Sequence, residues 1–454
     1  MVMATAALNI TLIGRRAWRG GRHAPAMSWS LALVALALIG VAAVSRRLEG
    51  TPVTPAMLFT GFGLLAGPLV LDGIDLEASG SMVRTLAEAT LTLVLFSDAS
   101  RIDVGRLRRT AGLPIRLLAA GLPLTIALGT LAAVGVLGDL SVSEALILAI
   151  VLAPTDAALG QAVIVHPRVP PRIRQGLNVE SGLNDGICVP LLFAAVALAD
   201  AESEVSGGHG AGTLLVEEIG YGVLGGVAAG LLVAMVVVHA GRRELIAGPW
   251  RQVIPAAGAA LSYGVAAALG GSGFIAAFVA GATFRIALGR DPEELNRLTE
   301  ELGDLLNGVT FVFFGALLLG PALEELTGPI VLYAVLSLVV IRPLPVAVAM
   351  LGSGARPPTV AFVGWFGPRG LASIVFAVIV LEESALAHEH LVVLTIYLTV
   401  GLSVLAHGLT AAPAAGRYAR WYGRHPRDAQ PPMESVHTHV TRTRGPVDAD
   451  TPAR

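Results

Sequence analysis

The sequence predicts an all-α, polytopic membrane protein with about thirteen transmembrane helices, and two observations support this. First, 54% of the 454 residues are hydrophobic and only 14% are charged, whereas a soluble chain carries about 25% charged residues. A soluble globule of this size could not bury so much apolar surface. Second, the apolar residues fall into runs of roughly 20, the length that crosses a bilayer core of about 30 Å.

Thirteen apolar segments follow one another along the chain with only short loops between them. The eighth and ninth are separated by little more than Gly270 and Gly271. The tenth is the least regular, because its first turns carry acidic residues. The predicted spans are residues 28–45, 54–71, 82–98, 113–137, 143–165, 172–199, 213–240, 250–269, 272–288, 299–319, 329–351, 359–381 and 389–415.

Arginine residues predict the orientation of these spans. The loops that follow odd-numbered spans carry arginine, and the loops that follow even-numbered spans carry none. Positively charged loops stay in the cytoplasm. We therefore expect a multi-pass protein of the cell membrane, with its N-terminus outside and its C-terminus in the cytoplasm.

The ends of the chain differ from the transmembrane domain, residues 28–415. Residues 1–27 carry four arginines, which an external N-terminus does not favour. We interpret this segment as an N-terminal extension or, preferably, as the product of a misassigned start, with Met27 as the true one. Residues 416–454 are predicted to form a short, cytoplasmic, disordered tail.

A first polar cluster lies in the middle of the fifth span, where Thr155 and Asp156 follow Pro154. Proline removes a backbone donor and disfavours helix at the preceding residue. A helix broken at this depth exposes carbonyls and amides, which is tolerated only where they line a cavity. Such breaks mark ion sites in secondary transporters. Asp156 is also suited to cap the second half-helix.

A second cluster lies on the sixth span. Glu180 and Asn184 are four residues apart, as are Ser181 and Asp185, so all four share one helix face. This face offers carboxylate, hydroxyl and amide oxygens, which suit a hard monovalent cation rather than a transition metal. Ionisable groups at this depth are expensive and predict function.

A third cluster, Gly367-Pro368-Arg369-Gly370, breaks the twelfth span. Arg369 is suited to satisfy exposed carbonyls or to pair with a buried carboxylate. Two broken helices, one in each half of the chain, predict inverted repeats that cross at mid-membrane. Three other polar residues we interpret more simply: Asp98 as reaching the cytoplasmic interface, Arg342 as snorkelling, and His407 as interfacial.

These motifs resemble the monovalent cation:proton antiporter family, which includes the prokaryotic NhaP-type sodium/proton antiporters and the animal sodium/proton exchangers. The resemblance covers roughly residues 30–415. It is carried by Pro154-Thr155-Asp156, by Glu180-Ser181-Gly182-Leu183-Asn184-Asp185-Gly186 and by Gly367-Pro368-Arg369-Gly370, with support from Leu95 to Ser100, Phe311 to Gly315 and Arg342-Pro343-Leu344.

The resemblance implies a homodimer in which a mobile core bundle moves against a dimerisation part. The core bundle would comprise residues 113–199 and 329–415. The dimerisation part would comprise residues 28–98 and 213–319.

The resemblance also implies roles for single residues. Asp185 is the carrier carboxylate, holding a proton or a cation in turn, and Asn184 beside it implies electroneutral exchange. Glu180, Ser181, Thr155 and Asp156 add cation ligands, and Arg369 stabilises the crossing half-helices.

We therefore predict exchange of Na⁺ for protons, with K⁺ as the alternative cation. A cation channel and a non-transporting membrane sensor remain weaker alternatives, because neither a repeated pore element nor a large soluble domain is evident. Enzyme motifs such as a Walker loop are absent from the sequence. We expect no cofactor beyond the transported Na⁺, K⁺ or Li⁺ and H⁺, a lipid environment and no nucleic-acid partner.

Overall fold

The computed structural model describes residues 26–48, 51–71, 73–74, 80–102, 112–164, 166–202, 211–383 and 386–424, and the regular elements in these ranges are helical. This confirms the all-α prediction. In chain order the helices are α1 Ala26–Leu48, α2 Pro55–Ala66, α3 Gly80–Ser100, α4 Gly112–Leu137, α5 Val142–Val151, α6 Gln161–Ile164, α7 Pro171–Glu202, α8 Ala211–Arg242, α9 Trp250–Ala268, α10 Gly273–Leu288, α11 Glu293–Glu325, α12 Gly328–Ala349, α13 Pro357–Trp365, α14 Leu371–Glu383 and α15 Glu389–Gly423.

Each predicted span coincides with a helix or with two half-helices. Within the described ranges, seven helices are long and apolar enough to cross a membrane, namely α1, α4, α7, α8, α11, α12 and α15. Four shorter apolar helices lie in α2, α5, α10 and α14. The chain is therefore a multi-pass membrane protein, whereas the count of thirteen crossings stays a prediction.

Two of the predicted spans are broken near their middle. Helix α5 ends at Val151 and α6 begins at Gln161, while α13 ends at Trp365 and α14 begins at Leu371. The two non-helical stretches meet, since the Asp156 N–H donates to the Pro368 carbonyl at 2.7 Å. The prediction of two broken, crossing helices is thus confirmed.

The start of α5 shows how local sequence fixes these elements. Ser141 accepts from the Glu144 N–H while the Glu144 carboxylate accepts from the Ser141 N–H at 2.9 Å, a capping box that satisfies two free donors. The same carboxylate accepts from the His388 N–H at 2.7 Å. Helices α5 and α15 therefore begin side by side.

Helices α8 and α10 approach closely because α8 carries glycine at every fourth position. A Cβ added at Gly226 would lie 2.6 Å from the Ala276 carbonyl oxygen, and one at Gly230 would lie 2.5 Å from that of Ala280. Small residues at this spacing allow backbone contact between membrane helices.

The chain end differs from the prediction of a disordered tail beginning at residue 416. Helix α15 continues to Gly423, because Tyr418 stacks on Phe362 with ring centroids 4.2 Å apart and shares a hydrogen bond with Thr359. Residues 1–25 and 425–454 lie outside the described residues. The interpretation of the N-terminal segment and the rest of the tail prediction therefore stay predictions.

Candidate functional site

Arg369 lies fully buried at the crossing of the two broken helices. Its Nη1 donates to the carbonyls of Ala153 at 3.1 Å, Pro154 at 3.4 Å and Gly367 at 3.4 Å. These carbonyls follow the C-terminal ends of α5 and α13, where the helix dipole is negative. One guanidinium thus compensates two helix ends that meet inside the protein.

Asp156 also lies at the crossing, beside the N-terminus of α14. Its Oδ2 accepts from the Leu371 N–H at 3.2 Å and its Oδ1 accepts from the Ala158 N–H at 2.8 Å. A carboxylate at a helix N-terminus satisfies free donors and faces the positive end of the dipole. The cap therefore serves α14, in the other broken helix, in addition to the local turn at Ala158. Gly370 has no Cβ, which would otherwise collide with the Asp156 carboxylate.

Two side chains of α7 form hydrogen bonds with the non-helical stretch between α5 and α6. Ser181 Oγ donates to the Thr155 carbonyl at 2.5 Å and accepts from the Ala157 N–H at 2.8 Å. Asn184 Nδ2 donates to Thr155 Oγ1 at 2.8 Å. Both Ser181 and Asn184 are buried, so the shared helix face predicted from their spacing is turned toward the crossing.

Glu180 and Arg342 form a buried, bidentate ion pair between α7 and α12. Nη1 of Arg342 lies 2.6 Å from Glu180 Oε1 and Nη2 lies 2.9 Å from Oε2, and Arg342 is only 3% exposed. The interpretation of Arg342 as a snorkelling residue was therefore wrong. The pairing also occupies both carboxylate oxygens of Glu180, which the family resemblance implies is a cation ligand.

Asp185 borders a small cavity between α3, α7, α11 and the crossing. The cavity measures about 20 Å³, and a water molecule needs roughly 10–15 Å³ of such space. Three carboxylates share its lining, those of Asp98, Asp156 and Asp185. The other polar lining residues are Asn178, Ser181 and Asn307. This oxygen-rich lining offers the ligands that hard cations prefer.

The sequence-predicted site residues divide into two groups around this cavity. Asp156, Ser181 and Asp185 line it. The other four do not line it: Asn184 bonds to the Thr155 hydroxyl, Glu180 to the Arg342 side chain and Arg369 to backbone carbonyls at the crossing. Three polar lining residues were not predicted as ligands, namely Asp98, Asn178 and Asn307. The sequence favoured an interfacial position for Asp98, and neither asparagine belongs to a motif that predicts a ligand.

His407 is a further correction. It is 1% exposed rather than interfacial. Its Nε2 lies 2.9 Å from the Trp365 carbonyl oxygen and its Nδ1 lies 3.1 Å from Ser403 Oγ, which in turn accepts from the Arg369 N–H at 2.7 Å. These bonds connect α15 to both sides of the break between α13 and α14.

The fold and this site define a multi-pass membrane protein of the class built on two crossing, broken helices. The family model described as "Sodium/hydrogen exchanger, transmembrane" matches residues 33–416, so the chain belongs to that family. The family resemblance inferred from the motifs is thereby confirmed.

Individual relatives agree with this membership. The K(+)/H(+) antiporter NhaP of Alkalimonas amylolytica is 25% identical over 397 residues, covering 86% of this chain and 66% of its own length. The K(+)/H(+) antiporter NhaP2 of Shewanella sp. (strain ANA-3) is 27% identical over 403 residues, covering 85% and 65%. The chain thus spans slightly less than two thirds of these relatives.

A solved structure shares the fold. The sodium proton antiporter MjNhaP1 from Methanocaldococcus jannaschii superimposes with a TM-score of 0.72 at 21% identity, covering 85% of this chain and 99% of its own. This likeness is one of fold, and it agrees with the predicted architecture.

Proposed function

We propose that this protein exchanges a monovalent cation for protons across the membrane, with Asp185 as the carrier carboxylate. The observation that carries the proposal is the position of Asp185 on a cavity at the helix crossing, beside Asp98, Asp156 and Ser181. The names of the relatives, which are cation/proton antiporters, support the same reaction class.

In the proposed cycle, Asp185 binds either one proton or one cation. The bound cation receives oxygens from Asp185, Asp156 and Ser181, which line the cavity, and the lining position of Asp98 adds a fourth candidate. The Thr155 carbonyl, which the family resemblance implies as a ligand, would have to exchange its bond with Ser181 for the cation. Either ligand reduces the charge of the carboxylate cluster, and only then does the core bundle move, since an uncompensated charge is costly to carry through a membrane protein. Alternation of the two ligands then couples the two fluxes.

Glu180 takes a different role in this proposal from the one the family resemblance implied. Its two oxygens already bind Arg342, so it positions α7 against α12 rather than contacting the cation. Asn184 anchors Thr155 through a neutral amide. The Asn184-Asp185 pair resembles the electroneutral members of the family, and on that resemblance we propose one-for-one exchange. We propose Na⁺ as the cation, with K⁺ as the second candidate because both relatives described above are named for K⁺.

The same proposal includes the two parts of the transmembrane domain, the oligomeric state and the orientation in the membrane. Residues 113–199 and 329–415 form the mobile core, and residues 28–98 and 213–319 form the dimerisation part. The protein works as a homodimer in the cell membrane, with its N-terminus outside and its C-terminus in the cytoplasm. It is a transporter rather than an enzyme and needs no cofactor.

The test is a proton-flux assay in proteoliposomes with an imposed pH gradient and added Na⁺, K⁺ or Li⁺. We expect wild-type exchange with at least one cation, no response to an imposed potential, and no exchange for Asp185→Asn. The matched control is Asp139→Asn, an exposed residue between α4 and α5, which should transport normally. Retained exchange in Asp185→Asn would overturn the carrier assignment, and dependence on potential would overturn electroneutrality.

A further inference from the structure

A second, larger cavity lies where α8, α9, α10 and α11 meet at one end of the bundle. Its volume is about 420 Å³, and its lining shares no residue with the cavity beside Asp185. The wall includes apolar side chains such as Val237, Leu288 and Leu295. Three arginines complete it: Arg242 at the end of α8, Arg251 in the first turn of α9 and Arg290 after α10.

The three guanidinium groups have no ion-pair partner among the described residues. In the part of the chain that the structure describes, no carboxylate lines the cavity. Some other arginines of the described chain do have a carboxylate partner, such as Arg84 with Glu88 and Arg297 with Glu301.

The acidic residues nearest in sequence do not change this charge balance. Asp291 follows Arg290 directly, but its Oδ1 accepts from the Glu293 N–H. Glu244 is exposed and does not line the cavity. All three arginines are exposed, and a cleft lined by charges of one sign attracts ions of the opposite sign.

The surroundings favour a ligand that reaches the cavity from the membrane. Leu245, in the loop between α8 and α9, is 71% exposed, and Trp250, the first residue of α9, is 66% exposed. Both lie between Arg242 and Arg251 in the sequence. Tryptophan beside arginine at helix ends is typical of the headgroup region of a bilayer. The apolar wall formed by Val237, Leu288 and Leu295 suits the glycerol and upper acyl portion of a lipid.

We propose that this cavity binds the phosphate group of an anionic phospholipid, held by Arg242, Arg251 and Arg290. The planar guanidinium group donates two parallel hydrogen bonds to phosphate oxygens. A soluble phosphate ion presents the same oxygens, so the test separates the two sources. This site is additional to the proposed transport function and does not depend on it.

The test is native mass spectrometry of the full-length protein in detergent, titrated with dioleoylphosphatidylglycerol, dioleoylphosphatidylcholine or inorganic phosphate. We expect the anionic lipid to bind roughly tenfold more tightly than the zwitterionic lipid, and the variant Arg242→Gln/Arg251→Gln/Arg290→Gln to lose that preference. The matched control removes three exposed arginines that do not line the cavity, as Arg243→Gln/Arg297→Gln/Arg424→Gln. It should keep the preference within about twofold.

Three results would overturn the proposal. An unchanged lipid preference in the cavity variant would mean that these arginines do not hold the lipid. An equal loss in the control would mean that the arginines act only through general surface charge. Binding of inorganic phosphate with the same affinity as the lipid would assign the cavity to a soluble anion. If the triple variant does not fold, Arg290→Gln alone is measured, since this loop residue should still weaken lipid binding by roughly threefold.

Discussion

Both carboxylate oxygens of Glu180 are bonded to the guanidinium group of Arg342, at 2.6 Å and 2.9 Å, and both side chains are buried. The pair joins α7, which carries Asp185, to α12. Such a pair contributes little net stability over a well-packed apolar replacement, but breaking it on one side leaves a buried charge without compensation. The ion pair therefore links the position of α7 to that of α12.

The first prediction concerns this pair. Glu180→Gln and Arg342→Met should each lower the free energy of unfolding by about 3–5 kcal/mol, because each leaves one buried charge unpaired. The double variant should regain a substantial part of that loss. Thermal unfolding of the four proteins in one detergent measures the coupling. If Glu180 instead bound the cation directly, Glu180→Gln would raise the cation KM while leaving stability near wild type, and the coupling would vanish.

The second prediction concerns Asp98, which lines the cavity with Asp156 and Asp185. Asp98→Asn should raise the cation KM by roughly tenfold, because a hydrogen-bonded or coordinating charge contributes about 1.5–3 kcal/mol. Turnover should persist, since Asp185 remains. The matched control on the same helix is Glu88→Gln, whose partner is Arg84. An unchanged KM in Asp98→Asn would remove Asp98 from the site.

The third prediction tests how closely the two broken helices approach. A Cβ at Gly370 would meet the Asp156 carboxylate, whereas one at Gly135 in α4 would meet nothing within 4 Å. Gly370→Ala should therefore cost about 1–3 kcal/mol of stability and impair exchange, while Gly135→Ala should be neutral or slightly stabilising. Thermal unfolding and proton flux measure both. Normal flux in Gly370→Ala would show that the Asp156 cap is not required.

Much of this architecture could be predicted from the sequence, because a bilayer permits few solutions. A membrane-spanning helix must satisfy its own backbone hydrogen bonds, so the apolar runs predicted the helix positions. Pro154 marked the break between α5 and α6. The partners of buried charges could not be predicted in the same way. Glu180 and Arg342 are 162 residues apart, and only the three-dimensional packing brings them together.

The same limit applies to Asp98 and His407. Each lies near the end of an apolar run, where a polar residue is ordinary, and so the sequence favoured an interfacial position. The structure buries His407 against the Trp365 carbonyl because that carbonyl lies at the end of α13 and lacks a helical partner. Asp98 faces α7 because Gly182 has no side chain there, and a Cβ at that position would lie 3.1 Å from the Asp98 Cβ.

The last prediction concerns pH and the loop before α7. Partial burial, with a smaller effect of the neighbouring Arg168, lowers the pKa of His166 below its ordinary value of 6.5. The Arg168 N–H also donates to His166 Nδ1 at 3.3 Å, and protonation of that nitrogen would remove the acceptor. The folded state therefore binds fewer protons at this residue than the unfolded state does, so its contribution to stability is present above about pH 6.5 and is lost as the pH falls through and below that value.

This loop can be tested by following thermal unfolding from pH 8 to pH 5, over about three pH units around the ordinary histidine pKa. His166→Gln should reduce the loss of stability that the wild-type protein shows at acid pH. Histidine NMR should place the pKa of His166 below 6.5. The matched control is His239→Gln, an exposed histidine near the end of α8, which should leave the profile unchanged. A His166 midpoint at or above the ordinary value would contradict the burial argument, since a positive charge would then be tolerated beside Arg168 and Arg174.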